Sequence, residues 1–320
     1  MKNILTFTRQ YIYEELTRGQ HKDDVATREF LRGKRIAGNE KVKTTEQINQ
    51  IIYDLIVAGE PFLAGRLGGT ELSTVKIYDF QIESRYEKIM AQMGTWSGMF
   101  PLTDEMGKRF TELMLQSITD ADVMGVWAQP FEKYYLNRYG KKNLKTSYIL
   151  DLEPWACPEN PWSAALAEKK VLIVHPFEET IKHQYQKREK IFVGTNILPQ
   201  FQLETLKAVQ TVAGATDTRF SDWFQALDWM YEEAMKKDFD IAIIGCGAYG
   251  FPLAAKLKKA GKQAIHLGGT TQNLFGIKGN RWVEEEKFAY VRKFFNEDWV
   301  RPDASERPQG AQKVEGACYW

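Results

Sequence analysis

The sequence predicts an α/β fold: a mainly parallel, Rossmann-like sheet with helices on both faces, a helical N-terminal extension and an irregular C-terminal tail. Three observations carry this. Apolar runs such as VLIV (171–174) and IAII (241–244) lack polar alternation, as strands buried on both faces do. Helical patterns interleave nearly all of them, which is the signature of crossover connections. No internal repeat or low-complexity linker divides the chain. One domain over residues 45–285 is therefore expected, preceded by the extension (1–44) and followed by a tail (286–320) that packs on the body.

In chain order, residues 3–18 and 24–33 read as short amphipathic helices. Thr44 or Thr45 caps a helix through EQINQIIYDLIVA, stopped by Gly59. PFLAG (61–65) is strand-like and runs into Arg66-Leu-Gly-Gly-Thr-Glu71, with a helix from about Thr70. Thr103 opens an amphipathic helix, DVMGVW (122–127) reads as a strand, and PFEKYYLNRYG is a helix ending at Gly140. Further strands are expected at 147–152, 171–175, 204–212, 240–245 and 263–267, with a helix over PLAAKLKKAG between the last two. The tail after Trp299 has little periodicity, but Cys318-Tyr319-Trp320 is apolar enough to dock.

Composition narrows the function classes. Among 320 residues, 43 Lys and Arg oppose 42 Asp and Glu, a net charge of +1, so no global field gathers nucleic acid and no such partner is expected. Three scattered cysteines without CxxC spacing argue against a disulfide framework or thiolate zinc site and for a reducing, cytoplasmic compartment. The start lacks a signal-peptide pattern, and no run of about 18 apolar residues exists to span a membrane. The four histidines show no HExxH pattern, so a metal site must be built mainly from carboxylates.

In open parallel sheets ligands bind beyond the carboxyl ends of strands. Four such ends carry unusual chemistry. At Arg66-Leu-Gly68-Gly69-Thr-Glu71, glycines permit close backbone approach, a helix start offers N–H groups, and Arg66 can fork onto phosphate. A plain glycine turn is the alternative. Gly245-Cys-Gly247-Ala-Tyr249-Gly250 is a literal GxGxxG between strand and helix. NAD is not expected there, because the next strand ends in His266 where an acidic ribose ligand belongs. A phosphate contact and tight strand-to-helix packing both remain open for this loop.

The third end runs from His266 through Gly268, Gly269, Gln272, Phe275, Lys278, Arg281 and Trp282, a concentration of glycines, cations and aromatics. Lys278 and Arg281 are candidates to neutralise phosphate, and Phe275 or Trp282 to stack on a base or sugar; Trp155 also stands near a candidate site. The fourth comprises Asp151 and Glu153, which strand alternation places on one side to hold Mg²⁺ or Mn²⁺, and His175, a candidate acid, base or phosphate donor. A structural histidine is the competing reading for His175.

These loops, AGRLGGTE (64–71) and IGCGAYGFPLAA (244–255) followed by QAIHLG (263–268), resemble those of the GT-D type bacterial glycosyltransferases and their relatives in surface-polysaccharide biosynthesis. The likeness extends loosely over residues 45–285. It implies a nucleotide-sugar donor and a divalent metal held by an Asp-x-Glu pair. Here the Asp position is Gly69 and only Glu71 matches. Either Glu71 alone holds an ion, or Asp151 or Glu153 supplies the missing ligand, or cations such as Arg66 and Lys278 replace the metal.

The resulting expectation is a glycosyltransferase acting on a cell-surface polysaccharide or lipid-linked precursor at the inner face of the membrane, with peripheral membrane association. The loops at 66–71 and 245–250 hold the diphosphate, and Glu71 or, failing that, His175 takes the acceptor proton. The rivals are a non-catalytic nucleotide or sugar-phosphate binding protein of an assembly system, and a Rossmann oxidoreductase.

Overall fold

The computed structural model describes residues 6–9, 12, 24–215, 217–308, 310–314 and 316–320. Most of the helix expected over residues 3–18 lies outside these. Residues 6–9 are helical, and Phe7 docks 5.5 Å, ring to ring, from both Phe80 and Phe131.

Seven strands form one all-parallel sheet: β1 (Leu63–Arg66), β2 (Val123–Val126), β3 (Lys145–Tyr148), β4 (Lys170–His175), β5 (Gln202–Lys207), β6 (Ile241–Ile244) and β7 (Gln263–His266). Their order is β3-β2-β1-β7-β6-β4-β5. The principal helices are α1 (Asp24–Leu31), α2 (Thr45–Ala58), α3 (Gly69–Asp79), α4 (Tyr86–Ser97), α5 (Asp104–Asp120), α6 (Glu132–Tyr139), α7 (Glu178–Tyr185), α8 (Trp223–Met235) and α9 (Gly250–Lys259).

Local chemistry accounts for the boundaries. Thr44 and Gln47 form a capping box at the start of α2, and Gly59 ends it in the left-handed conformation at φ 75°. Ile48, Ile52 and Ile56, spaced by four, are fully buried, and each contributes roughly 1.5–3 kcal/mol. Thr103 caps α5. Pro252 sits in the first turn of α9, where its missing N–H costs nothing.

Two elements depart from expectation. The strand predicted over 147–152 ends at Tyr148 and gives way to a 3-10 turn, Ile149–Leu152. Asp151 causes this by folding back: its carboxylate accepts from Ser147 Oγ at 2.8 Å and Thr45 Oγ1 at 2.9 Å and pairs with Arg28. The strand expected at 204–212 instead spans Gln202–Lys207.

Two cores sandwich the sheet. One gathers the apolar faces of α3, α5, α8 and α9; the other gathers those of α2 and α7 together with Val291, Trp299, Val314 and Trp320 from the tail. The four central strands, in the order β1-β7-β6-β4, send their following segments alternately to opposite faces: Leu67 and Leu72 to the first core, Leu274 to the second, Tyr249 and Leu253 to the first, Phe177 and Ile181 to the second. Segments that part in this way open a crevice at the carboxyl edge of the sheet.

Candidate active site

That crevice is a cavity of about 390 Å³. Six strands contribute an end to its wall: Arg66 from β1, Trp127 after β2, Ile149 after β3, His175 from β4, Gly245 after β6 and His266 from β7. Gly68, Gly69, Glu71, Glu153, Gly247, Tyr249, Gly268, Gly269, Gln272 and Arg281 also line it. Gly250, Lys278 and Asp151 are not among the lining residues.

After β1 the chain turns at Gly68 into α3, with Glu71 as its third residue. The Glu71 carboxylate folds back over the helix start, so that a Cβ on Gly68 would lie 1.9 Å from its Oε2, while Oε1 accepts from Ser97 Oγ at 3.0 Å. Gly69 is roomier; a Cβ there would approach Gln129 to 3.5 Å and Trp127 to 3.8 Å. The Arg66 guanidinium lies against the Gly268 backbone, where a Cβ would sit 2.7 Å from Nη2 and where φ is +65°. Burial, joined by the like charge of Arg281, lowers the Arg66 proton affinity, against which Glu153 and Tyr319 act. No hydrogen bond or ion pair holds the Arg66 guanidinium among the described residues.

The GxGxxG loop after β6 uses its glycines mostly for packing. A Cβ on Gly245 would lie 2.7 Å from the Gly268 carbonyl, the His175 ring and Thr271, and one on Gly250 would lie 2.4 Å from the His266 ring. Only Gly247, at φ +59°, faces open space. Tyr249 is turned inward, stacked on Trp223 with centroids 4.5 Å apart and its hydroxyl 3.0 Å from Thr211 Oγ1.

The glycines after β7 receive the tail. A Cβ on Gly269 would meet the Tyr319 ring at 2.2 Å, and one on Gly279 would meet the Cys318 carbonyl at 2.7 Å. Gln272 Nε2 donates to the Tyr319 carbonyl at 3.1 Å, and the Arg281 N–H to that of Cys318 at 3.0 Å. The Arg281 side chain reaches the Tyr319 hydroxyl (3.4 Å) and Cys318 Sγ (3.3 Å). Lys278 lies outside the cavity, its Nζ 5.9 Å from the Phe295 ring centroid. Phe275 and Trp155 are core residues, whereas Trp282, also buried, borders the cavity.

The titratable groups of the cavity are set by burial. Glu153, 2% exposed, has its pKa raised to about 7 by desolvation, with Tyr290, Arg66, Thr270 and Trp155 acting in the opposite direction. Trp155 Nε1 donates to Glu153 Oε2 at 2.8 Å, and the Tyr290 hydroxyl donates to the same oxygen. His175 is pushed down to about 3 by burial and is therefore neutral. Its Nδ1 accepts from the Phe177 N–H at 3.0 Å, which places the ring proton on Nε2. His266 is also lowered to about 3, by burial first and Arg66 second.

The carboxylates expected to hold a metal do not converge. Glu71 lies over its own helix start and accepts from Ser97, Asp151 is tied to Arg28, Thr45 and Ser147 outside the cavity, and Glu153 is held by Trp155 and Tyr290. Among the described residues no group of three or more His, Cys, Asp and Glu is placed to hold a metal ion. Among the described residues the donor set does not fit a divalent cation. Another feature does mark this cavity as a site: buried polar atoms without a partner among the described residues gather in its wall, including both nitrogens of His266, Gln272 Oε1 and the indole N–H groups of Trp127 and Trp320.

A family model for the GT-D fold-like domain matches residues 43–274. The chain belongs to the GT-D-like family. Membership supports glycosyltransferase activity as the general class, with a sugar donor and an acceptor as substrates. Two solved structures are similar to this GT-D-like chain. One, described as a highly conserved domain of unknown function 1792 with a distinct glycosyltransferase fold, is 15% identical, with 81% of this chain and 96% of that chain covered at a TM-score of 0.36. The other is a selenomethionine-substituted structure of domain of unknown function 1792, 14% identical, with coverages of 82% and 97% and a TM-score of 0.36. No curated protein sequence matches the chain.

Several wall residues escape sequence reasoning. Trp127 carried a signal that was not used, its place at the end of an apolar strand, whereas Ser97 and Thr211 lie on segments with no ligand-like pattern. Tyr319 and Trp320 enter from the far end of the sequence, and their signal is the match between their bulk and the glycines at 269 and 279.

Proposed function

We propose that this GT-D-like protein transfers a sugar from a nucleotide-sugar donor to a hydroxyl of a surface polysaccharide or lipid-linked precursor, at the cytoplasmic face of a membrane. The observation that carries the reading is a cavity framed by six parallel strand ends, with a guanidinium at one wall and indole and tyrosine rings at others. Aromatic faces suit sugar rings, and a strand-end crevice suits a nucleotide diphosphate. No helix among the described residues is long and apolar enough to cross a membrane.

In the proposed reaction the acceptor oxygen bonds to the anomeric carbon while the bond from that carbon to the β-phosphate oxygen breaks. The electron pair leaves with the nucleoside diphosphate. The hydroxyl proton passes to a cavity carboxylate, and Glu153 suits this better than Glu71. Trp155 and Tyr290 both donate to Glu153 Oε2, and the raised pKa of Glu153 suits it to take up a proton, whereas Glu71 is engaged by Ser97 and lies over Gly68. With its proton on Nε2, His175 acts as a donor to substrate oxygen rather than as the base.

A panel of nucleotide sugars in thermal-shift measurements, followed by transfer assays on glycan and lipid-linked acceptors, tests this. The expected result is one donor that raises the melting temperature, and a Glu153→Gln variant that binds it while transfer falls about 10²–10⁴-fold. Binding without turnover on any acceptor favours instead a non-catalytic binding protein.

A further inference from the structure

We propose that Trp320, brought into the cavity wall by the tail, joins Gln272 and His175 to form the subsite that recognises the hydroxyl groups of the donor sugar. The inference rests on reading the cavity as a nucleotide-sugar site, and it names the residues that select the sugar.

The tail is fixed where it meets the cavity. Gly269 and Gly279 leave the room that the Tyr319 ring and the Cys318 carbonyl occupy. The Trp320 N–H donates to the Ala317 carbonyl at 3.0 Å, and the Trp320 carbonyl accepts from the Asn280 N–H at 3.2 Å and from Arg301 Nη1 at 2.8 Å. The indole meets the Phe177 ring edge-on, with centroids 6.2 Å apart. Trp320 lines the cavity and is only 6% exposed, yet its Nε1 has no partner among the described residues. A buried indole N–H ordinarily finds an acceptor.

Two further groups are set by the backbone in one orientation each. Gln272, fully buried, gives its Nε2 to the carbonyls of Ile277 (3.2 Å) and Tyr319 (3.1 Å). The amide oxygen is thereby turned away from those carbonyls, and it has no partner among the described residues. His175 accepts from the Phe177 N–H through Nδ1 and so presents an N–H at Nε2. The three groups adjoin one another. Phe177 stands between His175, 4.8 Å away ring to ring, and Trp320, while Gln272 grips the residue next to Trp320 in the chain.

Two N–H donors and one carbonyl acceptor, all uncharged, match a neutral ring whose hydroxyl groups both donate and accept. A phosphate offers acceptors only and leaves the Gln272 oxygen unmatched. The place of the subsite favours the donor sugar over the acceptor. A Cβ on Gly245 would lie 2.7 Å from both the His175 ring and the Gly268 carbonyl, and one on Gly268 would lie 2.7 Å from the Arg66 guanidinium. The subsite therefore adjoins the wall cation that suits a diphosphate, and a sugar joined to that diphosphate falls beside it. Buried groups that pair with hydroxyls reject sugars in which one is missing or misplaced, because the protein atom is then left unpaired.

The test is calorimetric titration of the full chain with UDP-glucose, UDP-galactose, GDP-mannose and dTDP-rhamnose, and with UDP, GDP and dTDP alone. Trp320→Phe keeps an aromatic ring against Phe177 and removes the indole N–H. It is expected to weaken the nucleotide sugar that binds by about tenfold and to leave the matching nucleoside diphosphate unchanged. His175→Asn keeps an acceptor for the Phe177 N–H, removes the Nε2 N–H, and is expected to do the same. Thermal melting shows whether each variant is folded, and His175→Asn decides the matter where Trp320→Phe is not. Equal weakening of nucleotide sugar and nucleoside diphosphate marks a merely structural role and overturns the proposal, as does unchanged affinity for the nucleotide sugar. Both of those results leave the donor reading standing, since the unsubstituted chain still binds a nucleotide sugar. An unsubstituted chain that binds no nucleotide sugar overturns that reading and the subsite with it.

Discussion

The loops after β1 and β6 look alike as sequence, each a glycine-rich turn between a buried strand and a helix, yet they spend their glycines differently. After β6, Gly245 and Gly250 give up their side chains so that His175, Thr271, the Gly268 carbonyl and the His266 ring can close around the sheet. After β1, Gly68 gives way only to the flexible end of Glu71, and Gly69 leaves space toward Trp127 and Gln129. Glycine content alone therefore does not separate a ligand cradle from a packing joint. What separates them is whether the missing Cβ would strike backbone and rings or a side chain able to swing aside.

The largest effect is expected where the neighbours cannot move. Gly245→Ala and Gly250→Ala each place a Cβ within 2.7 Å of the Gly268 backbone or the His266 ring. Overpacking of this kind costs about 1–3 kcal/mol, which at this chain length lowers the melting temperature by several degrees. Melting curves that overlay on the unsubstituted protein break the contrast between the loops.

A smaller effect is expected after β1. Gly68→Ala evicts the Glu71 carboxylate from the helix start and costs about 0.3–1 kcal/mol, the usual worth of an acid in the first turn. Gly69→Ala is expected to melt close to the unsubstituted protein, because its Cβ meets Gln129 and Trp127 at ordinary contact distance, and to weaken donor binding instead, because Gly69 lines the cavity. Melting and ligand titration of this pair, run together, check it. If Gly69→Ala unfolds the protein and Gly68→Ala does not, the two positions have been assigned the wrong way round.

The same contrast explains what the sequence made legible. Strand and helix order came from unbroken apolar runs and from caps such as Thr44 and Thr103, because those signals are local. The strand ends that line the cavity were also local, so Arg66, His175, His266 and the Gly245 loop could be found from the residues at the carboxyl end of each apolar run. Pairings between distant segments could not. Nothing near Asp151 announces Arg28, more than a hundred residues away, so two carboxylates placed on one side by strand alternation prove to lie in separate environments. Lys278 and Arg281 stand three residues apart in one basic stretch, yet only Arg281 borders the cavity. Tyr319, which fills the space over Gly269, belongs to a tail whose composition reads as irregular.

The turn after β2 tests whether the space beside Gly69 is held by a neutral acid. Glu132 is 2% exposed, and its Oε2 accepts from the N–H groups of Trp127 (3.1 Å) and Gln129 (3.3 Å), the two residues that face Gly69. Burial raises its pKa from 4.5 to about 8, opposed by those backbone donors. Between these two values the folded chain keeps a proton that the unfolded chain releases. Stability from this group is therefore lost progressively as pH rises through that window, and the loss is complete above pH 8. Glu132→Gln keeps the shape and the accepting oxygen but cannot ionise. The variant is expected to melt with the unsubstituted protein near pH 5 and to exceed it near pH 9 by at least about 1 kcal/mol. Parallel melting profiles across that range sink the assignment, because a Glu132 that ionises freely cannot be the neutral clamp that sets Trp127 and Gln129 beside the glycine loop.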